Sequence, residues 1–222
     1  MVLIEPHDIC KTNFKQIVMK KSLTVLGVAL LGSDANAQGQ NQELGKAATE
    51  TTVEVLIDAP IEKVWEAFAD IGGIFLNSPT VDTSYTSSEQ KTGVGATRHM
   101  ILSPMIKKGA TLDERVLIWE EGTYQKLEVY KIHRVSGIKT MGGDFRLIPK
   151  GNQTILRSTL NYSMKNGMWG MMNKMMGKKK FAKIWRKVIG GYKYHIETGE
   201  EVAHKTKLDI SPVELIEIKI LN

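Results

Sequence analysis

Between Val81 and Met164 the chain carries six short apolar/polar alternations in a row, and that succession limits the fold more than any other feature. The segments are 81–88, 96–103, 111–119, 124–133, 139–148 and 154–164. A period of two puts every second side chain on one face of a strand. Turn-forming residues end each run: Lys91-Thr-Gly-Val-Gly95, Pro104 with Gly109, Glu120-Glu-Gly122, Val135-Ser-Gly137 and Pro149-Lys-Gly-Asn152. Connections this short join antiparallel neighbours, because parallel strands need a crossover of roughly a dozen residues or more. The spacing therefore predicts an antiparallel meander with one apolar face that something else must cover.

Two helices are available to cover it. Thr51–Asp58 alternates around Val53, Val55 and Ile57, a further strand, and Ala59-Pro60 ends it. Ile61, Val64, Trp65 and Phe68 then recur at helical spacing, predicting an amphipathic helix over 60–69 that Gly72-Gly73 breaks. Leu76–Thr80 is a turn or short helix around Pro79. Residues 167–201 read as one long, basic, Met-rich helix. Met168, Met172, Met175, Ala182, Trp185, Ile189 and Tyr192 fall near one side of it, with Gly177 as a kink and Gly190-Gly191 as a loosening point. Residues 213–221 alternate weakly, as either a last strand or a tail. The fold class expected is α+β: a curved antiparallel sheet of about seven strands wrapped around a long C-terminal helix.

The first 37 residues read as a targeting segment. Lys20-Lys21 precede the nine-residue apolar run Leu23–Leu31, which is well short of the ~20 residues that span a bilayer. Ala35-Asn-Ala37 supplies the small-x-small pattern of signal-peptide cleavage. Residues 1–37 are accordingly expected to be a signal peptide cut after Ala37, with Met19 as an alternative start. Residues 38–50 are expected to be a flexible leader, 51–201 the folded domain and 202–222 a tail. Cleavage removes Cys10, the single cysteine, and with it any disulfide or thiol nucleophile. An exported, periplasmic protein is expected, with a net charge of +6 before cleavage. The histidines, serines and acids form no HExxH, GxSxG or phosphate-loop pattern. Export and the lack of interleaved surface aromatics argue against nucleic acid as a partner.

Several separated motifs resemble one family. Val55-Leu-Ile-Asp-Ala-Pro-Ile-Glu-Lys-Val-Trp-Glu-Ala-Phe68 resembles its opening strand, Ala-Pro and helix. Gly93-Val-Gly-Ala-Thr-Arg98 resembles its glycine turn, and Glu114-Arg115 its Glu-Arg pair. Phe145-Arg-Leu-Ile-Pro149 with Gly151 and Thr154-Ile-Leu-Arg157 resembles its last hairpin, and Tyr192-Lys-Tyr-His-Ile-Glu197 its closing helix. Together, over about residues 51–201, these are similar to the START-like superfamily, the polyketide cyclase/dehydrase and lipid-transport family, whose fold is the helix grip. The resemblance implies a cavity between sheet and helix. The family's ligands range over lipids, sterols, plant hormones and polyketides, and a few exported members resemble a periplasmic accessory protein of methanol oxidation. Two positions depart from the family pattern. Asn77-Ser78 stand before Pro79 where a Trp is common, and Ser158 stands where the last strand often has Trp.

Arg98 and Glu114 alternate with apolar residues on adjacent predicted strands, so both point inward. An inward charge is costly unless it is paired or faces a ligand. Both readings stay open: an ion pair at the sheet rim, or a polar anchor for a ligand. The expected ligand wall comprises Met100, Val116, Met141, Phe145, Ser158, Leu160, Tyr162, Met168 and Met172, with polarity from Arg98 and Glu114. The methionines from Met164 to Met176 suit core packing, an adaptable apolar wall or, as an outlier, Cu(I); no metal and no cofactor is expected. A cyclase or dehydratase would use Glu114 or Tyr162 as acid/base, and a third reading is an accessory protein docking on a periplasmic partner. Lys174, Lys178, Lys179, Lys183 and Lys187 suit either a solvated helix face or transient contact with an anionic membrane. Binding of a hydrophobic small molecule or lipid is the leading expectation.

Overall fold

In the computed structural model, which describes residues 48–221, the strands run β1 (Thr49–Ile57), β2 (Val81–Thr86), β3 (Thr97–Leu102), β4 (Thr111–Glu120), β5 (Tyr124–His133), β6 (Ile138–Lys150), β7 (Gln153–Met164) and β8 (Glu214–Ile220). They form one antiparallel sheet in the order β2-β3-β4-β5-β6-β7-β1-β8. The six central segments pair strictly with their sequence neighbours, as short turns require. β1 then joins the far side of β7. The eighth strand comes from the segment whose alternation is weakest, and it raises the expected count of about seven. The signal segment, most of the leader and Cys10 lie outside the described residues, and β1 begins two residues earlier than its alternation indicates.

The helices are α1 (Ile61–Ala69), α2 (Ile74–Asn77), α3 (Met168–Met172) and α4 (Lys178–Thr198). A 3-10 turn (Ile71–Gly73) leads into α2, and one π-helical turn (Asn173–Gly177) joins α3 to α4. The expected single helix over 167–201 is thus three pieces ending at Thr198, where Gly199 takes a left-handed conformation (φ 76°).

α1 and α4 cover the inner face of the sheet. Val53, Val55 and Ile57 of β1 and Leu156 of β7 are buried there with Val64 and Phe68 of α1 and Ile189 and Tyr192 of α4. Full burial of a side chain of this size contributes about 1.5–3 kcal/mol, so this seam holds the helices to the sheet. Phe68 stacks on Tyr192 (centroids 4.6 Å apart, 3° between planes), and Phe145 of β6 leans on both. The glycine pair in α4 tightens rather than loosens it. A Cβ on Gly191 would lie 2.2 Å from the carbonyl oxygen of Asn77, so only glycine lets α4 approach α2 this closely.

Candidate functional site

The aromatic seam closes one end of the space between sheet and α4, and a cavity of about 610 Å³ occupies the other. That volume lies within the range usual for small-molecule sites. Its floor is Met100 and Leu102 of β3, Leu112 and Glu114 of β4, Met141 of β6 and Leu160 of β7. Ile74, Ser78 and Thr80 close the α2 side. The roof is Trp169, Met172, Met175 and Met176, followed by Phe181, Ile184 and Trp185 of α4. Seven methionines line it: Met100, Met105, Met141, Met164, Met172, Met175 and Met176. Unbranched thioethers adapt to apolar surfaces of different shape. Among the described residues that line it, Glu114 is the one carboxylate and Lys180 the one cation.

Arg98 and Glu114 are register partners on β3 and β4. The guanidinium donates from Nε (2.7 Å) and Nη2 to a single carboxylate oxygen, Oε2, and from Nη1 to the carbonyl of Ile71 (3.1 Å). Burial works against the Arg98 charge, but Glu114 and Tyr192 outweigh it and its pKa rises. Arg98 is thus a buried structural cation beneath the wall, and Glu114 alone of the pair reaches the cavity. Burial also pushes the Tyr192 phenol up to about 12, so it stays neutral.

Other residues expected at the wall lie elsewhere. Val116 and Phe145 belong to the packed core. Ser158 pairs with Phe145 across β6–β7 and donates to the carbonyl of Asp144 (2.6 Å), so the hydroxyl that replaces a family Trp does not enlarge the cavity. Tyr162 is covered by the Phe181 ring (4.2 Å, near-parallel) and donates to Asn173 Oδ1 (2.9 Å). Burial pushes its phenol up to about 12, which makes it a fixed neutral donor. Met168 is 63 % exposed, on α3, which buries none of its residues.

The exposed methionines depart from core packing. Met168, Met171, Met172, Met175 and Met176 are 52–75 % exposed, and of these Met172, Met175 and Met176 rim the cavity mouth rather than fill a core. The placement follows from the π turn, which inserts Asn173 instead: its side chain is buried, accepting from Tyr162 and donating from Nδ2 to Thr49 Oγ1 (3.1 Å). Trp169 holds the other end of the roof. Its ring packs on Gly137 (φ 87°), where a Cβ would come within 2.6 Å of ring carbon. Sequence reasoning missed Asn173 and Trp169 as roof anchors. A lone Asn inside a helical pattern was the available signal, since that residue disfavours helix interiors without a partner.

His99 lies on the opposite face from Arg98. Its Nδ1 meets Asp113 Oδ1 at 2.6 Å, away from the cavity. Among the described residues no three His, Cys, Asp or Glu side chains converge as a metal site would require.

The family model for polyketide cyclase / dehydrase and lipid transport matches residues 48–193. No curated protein matches the chain. Among solved structures, the chain is similar to TTHA0849 from Thermus thermophilus, with 17 % identity and a TM-score of 0.56 over 66 % of this chain and 96 % of that one. XoxI from Bacillus cereus gives 13 % identity and a TM-score of 0.52 over 66 % and 94 %. A START superfamily protein from Mycobacterium smegmatis gives 13 % and 0.52 over 67 % and 99 %. Identities this low carry the fold alone, and the fold they carry is the helix grip built above. With two thirds of its length matched by the family model and a sheet closed around its last helix, the chain belongs to the polyketide cyclase/dehydrase and lipid-transport family.

Proposed function

We propose that this protein binds a hydrophobic small molecule or lipid between the sheet and the α3–α4 roof. The supporting observation is the cavity of about 610 Å³, whose lining is apolar and Met-rich with a single carboxylate among the described residues. Burial of a ligand's apolar surface there is favourable at ~25 cal/mol per Å². Glu114 gives the ligand one polar contact, and Lys180 stands where an anionic or polar headgroup would emerge. The acid–base reading is less well supported: Arg98 occupies Oε2 of Glu114, and Tyr162 is committed to Asn173.

The roof also fits a membrane source for the ligand. No acidic residue occurs between Met164 and Ile196, whereas Lys178, Lys179, Lys180, Lys183 and Lys187 follow the exposed methionines directly. The side chain of Lys174 lies outside the described residues. No helix among the described residues is long and apolar enough to cross a membrane, so the contact proposed is peripheral. An exported setting, from the signal-like first 37 residues, is part of the same reading.

The decisive experiment is native mass spectrometry of the purified chain with organic extraction of whatever it carries. A recurring apolar species that co-purifies with the folded protein is expected. Protein that is empty from every source, and that takes up no lipid on incubation with bacterial membrane extract, would overturn the reading.

A further inference from the structure

β8 lies beyond the family match, which ends at residue 193. It returns past α4 to pair with β1 and becomes the new edge of the sheet. Among the described residues no strand pairs with its outer side. Leu215 and Ile216 are 44 % and 52 % exposed. An exposed apolar edge strand without proline is a template for another strand.

The direction of its free hydrogen-bonding groups follows from the ladder. Leu221 N–H donates to Ala48 O (2.8 Å), and the register continues with Ile220 opposite Thr49, Lys219 opposite Glu50, Ile218 opposite Thr51 and Glu217 opposite Thr52. Alternate residues of an antiparallel strand turn both backbone groups to the same neighbour. Leu221, Lys219 and Glu217 therefore address β1, while Ile220 and Ile218 turn theirs outward. The register shifts between Thr52 and Val53, which leaves Ile216 as a bulge and confines a regular edge to the last residues.

We propose that this edge pairs with itself: two copies of the chain meet antiparallel through β8 about a two-fold axis at Ile218, making one sheet continuous across both. Charge selects that register. Centred on Ile218, Glu217 of each copy stands opposite Lys219 of the other, Ile218 faces Ile218, and Ile216 faces Ile220. Shifted to Glu217 or to Lys219, the axis sets two like charges directly against each other, which is unfavourable. In the chosen register the Glu–Lys positions are the non-hydrogen-bonded ones, where side chains approach more closely. Two-fold symmetry makes every contact off the axis occur twice.

Sedimentation equilibrium of the purified full chain over a wide concentration range tests this. A monomer–dimer equilibrium is expected. Ile218→Pro removes an outward N–H but no bond to β1, so it should weaken dimerisation roughly tenfold or more while leaving the unfolding transition in place. Glu217→Lys and Lys219→Glu should each do the same by facing like charges, again roughly tenfold. Should Ile218→Pro unfold, the charge variants still decide, because a 1:1 mixture of those two proteins restores both opposite-charge pairs and should dimerise. A wild-type chain that stays monomeric throughout, dimers unaffected by all three substitutions, or a mixture no more associated than its components would each overturn the proposal. Ligand binding in the cavity is read separately and does not bear on it.

Discussion

Tyr162 donates its phenolic hydrogen to Asn173 Oδ1 across 2.9 Å, joining the end of β7 to the π turn that interrupts the long C-terminal helix. Asn173 passes the connection on to Thr49 of β1 (3.1 Å). One side chain thus ties the roof of the cavity to two neighbouring strands. Asn173→Leu keeps the volume but leaves a buried hydroxyl at each end unpaired, which costs about 1–3 kcal/mol per orphaned group. Urea unfolding should show that loss. Tyr162→Phe removes one end only and should cost less.

Arg98 and Glu114 offer a sharper test, because a buried pair is asymmetric. Glu114→Ala leaves the guanidinium uncompensated in the core and should destabilise by about 3–5 kcal/mol. Replacing both, Arg98→Met with Glu114→Leu, removes the stranded charge and should recover much of that loss. Glu114→Gln still offers an oxygen to Arg98 and should be milder than Glu114→Ala. Thermal unfolding of the wild type and these three variants separates the effects from any change in ligand affinity.

The meander, α1 and the body of β1 were legible because alternation and helical spacing are local signals, and Gly and Pro mark the breaks. Placement of the site was legible only in part. Met100, Glu114, Met141, Leu160 and Met172 line the cavity, but Ser158 and Tyr162, on the same inward face of β7, do not. Alternation gives the face of a strand and says nothing about which stretch of it a helix covers tightly. The Phe68–Phe145–Tyr192 packing decides that, through contacts between residues far apart in the chain. The roof was illegible for a related reason: a π turn shifts the helical phase, so methionines that would share the core face of one regular helix emerge at the surface.

Asp144 makes stability depend on pH. Burial, with Lys126 and Arg146 acting against it, raises its carboxyl to about 6 from an ordinary 3.8. A raised carboxylate pKa means that the folded protein binds the proton more tightly than the unfolded chain. The group is therefore neutral to stability below the unfolded pKa, and increasingly unfavourable as pH rises from there through the folded one. Asp144→Asn should stabilise the protein by roughly 1–3 kcal/mol at pH 8, and the gain should shrink toward pH 4. Unfolding curves of both proteins across that window give the comparison.

Met141 is half-buried at the cavity floor with open space beyond it. Met141→Trp directs a larger ring into that space and should weaken uptake of a neutral apolar fluorescent probe such as N-phenyl-1-naphthylamine. Stability should change by less than about 1.5 kcal/mol, because the ring fills a void rather than a packed core. A variant that still takes up the probe at wild-type affinity places binding outside this cavity.

The membrane contact proposed for the basic roof carries its own dependence on salt and charge. Lys179, Lys180 and Lys183 are exposed on α4 beside the methionine rim. Each contributes ~1 kcal/mol near an anionic surface. Replacing all three with Gln should therefore weaken co-sedimentation with phosphatidylglycerol-containing vesicles by about two orders of magnitude, since roughly 1.4 kcal/mol is tenfold. Raising salt to about 1 M shortens the screening length to ~3 Å and should reduce wild-type binding toward the variant's level. Replacing the exposed Met175 and Met176 with Gln removes the apolar part of the contact and should weaken binding at every salt concentration alike. Wild-type protein that binds neutral phosphatidylcholine vesicles as tightly as anionic ones would show that the lysine face is simply solvated.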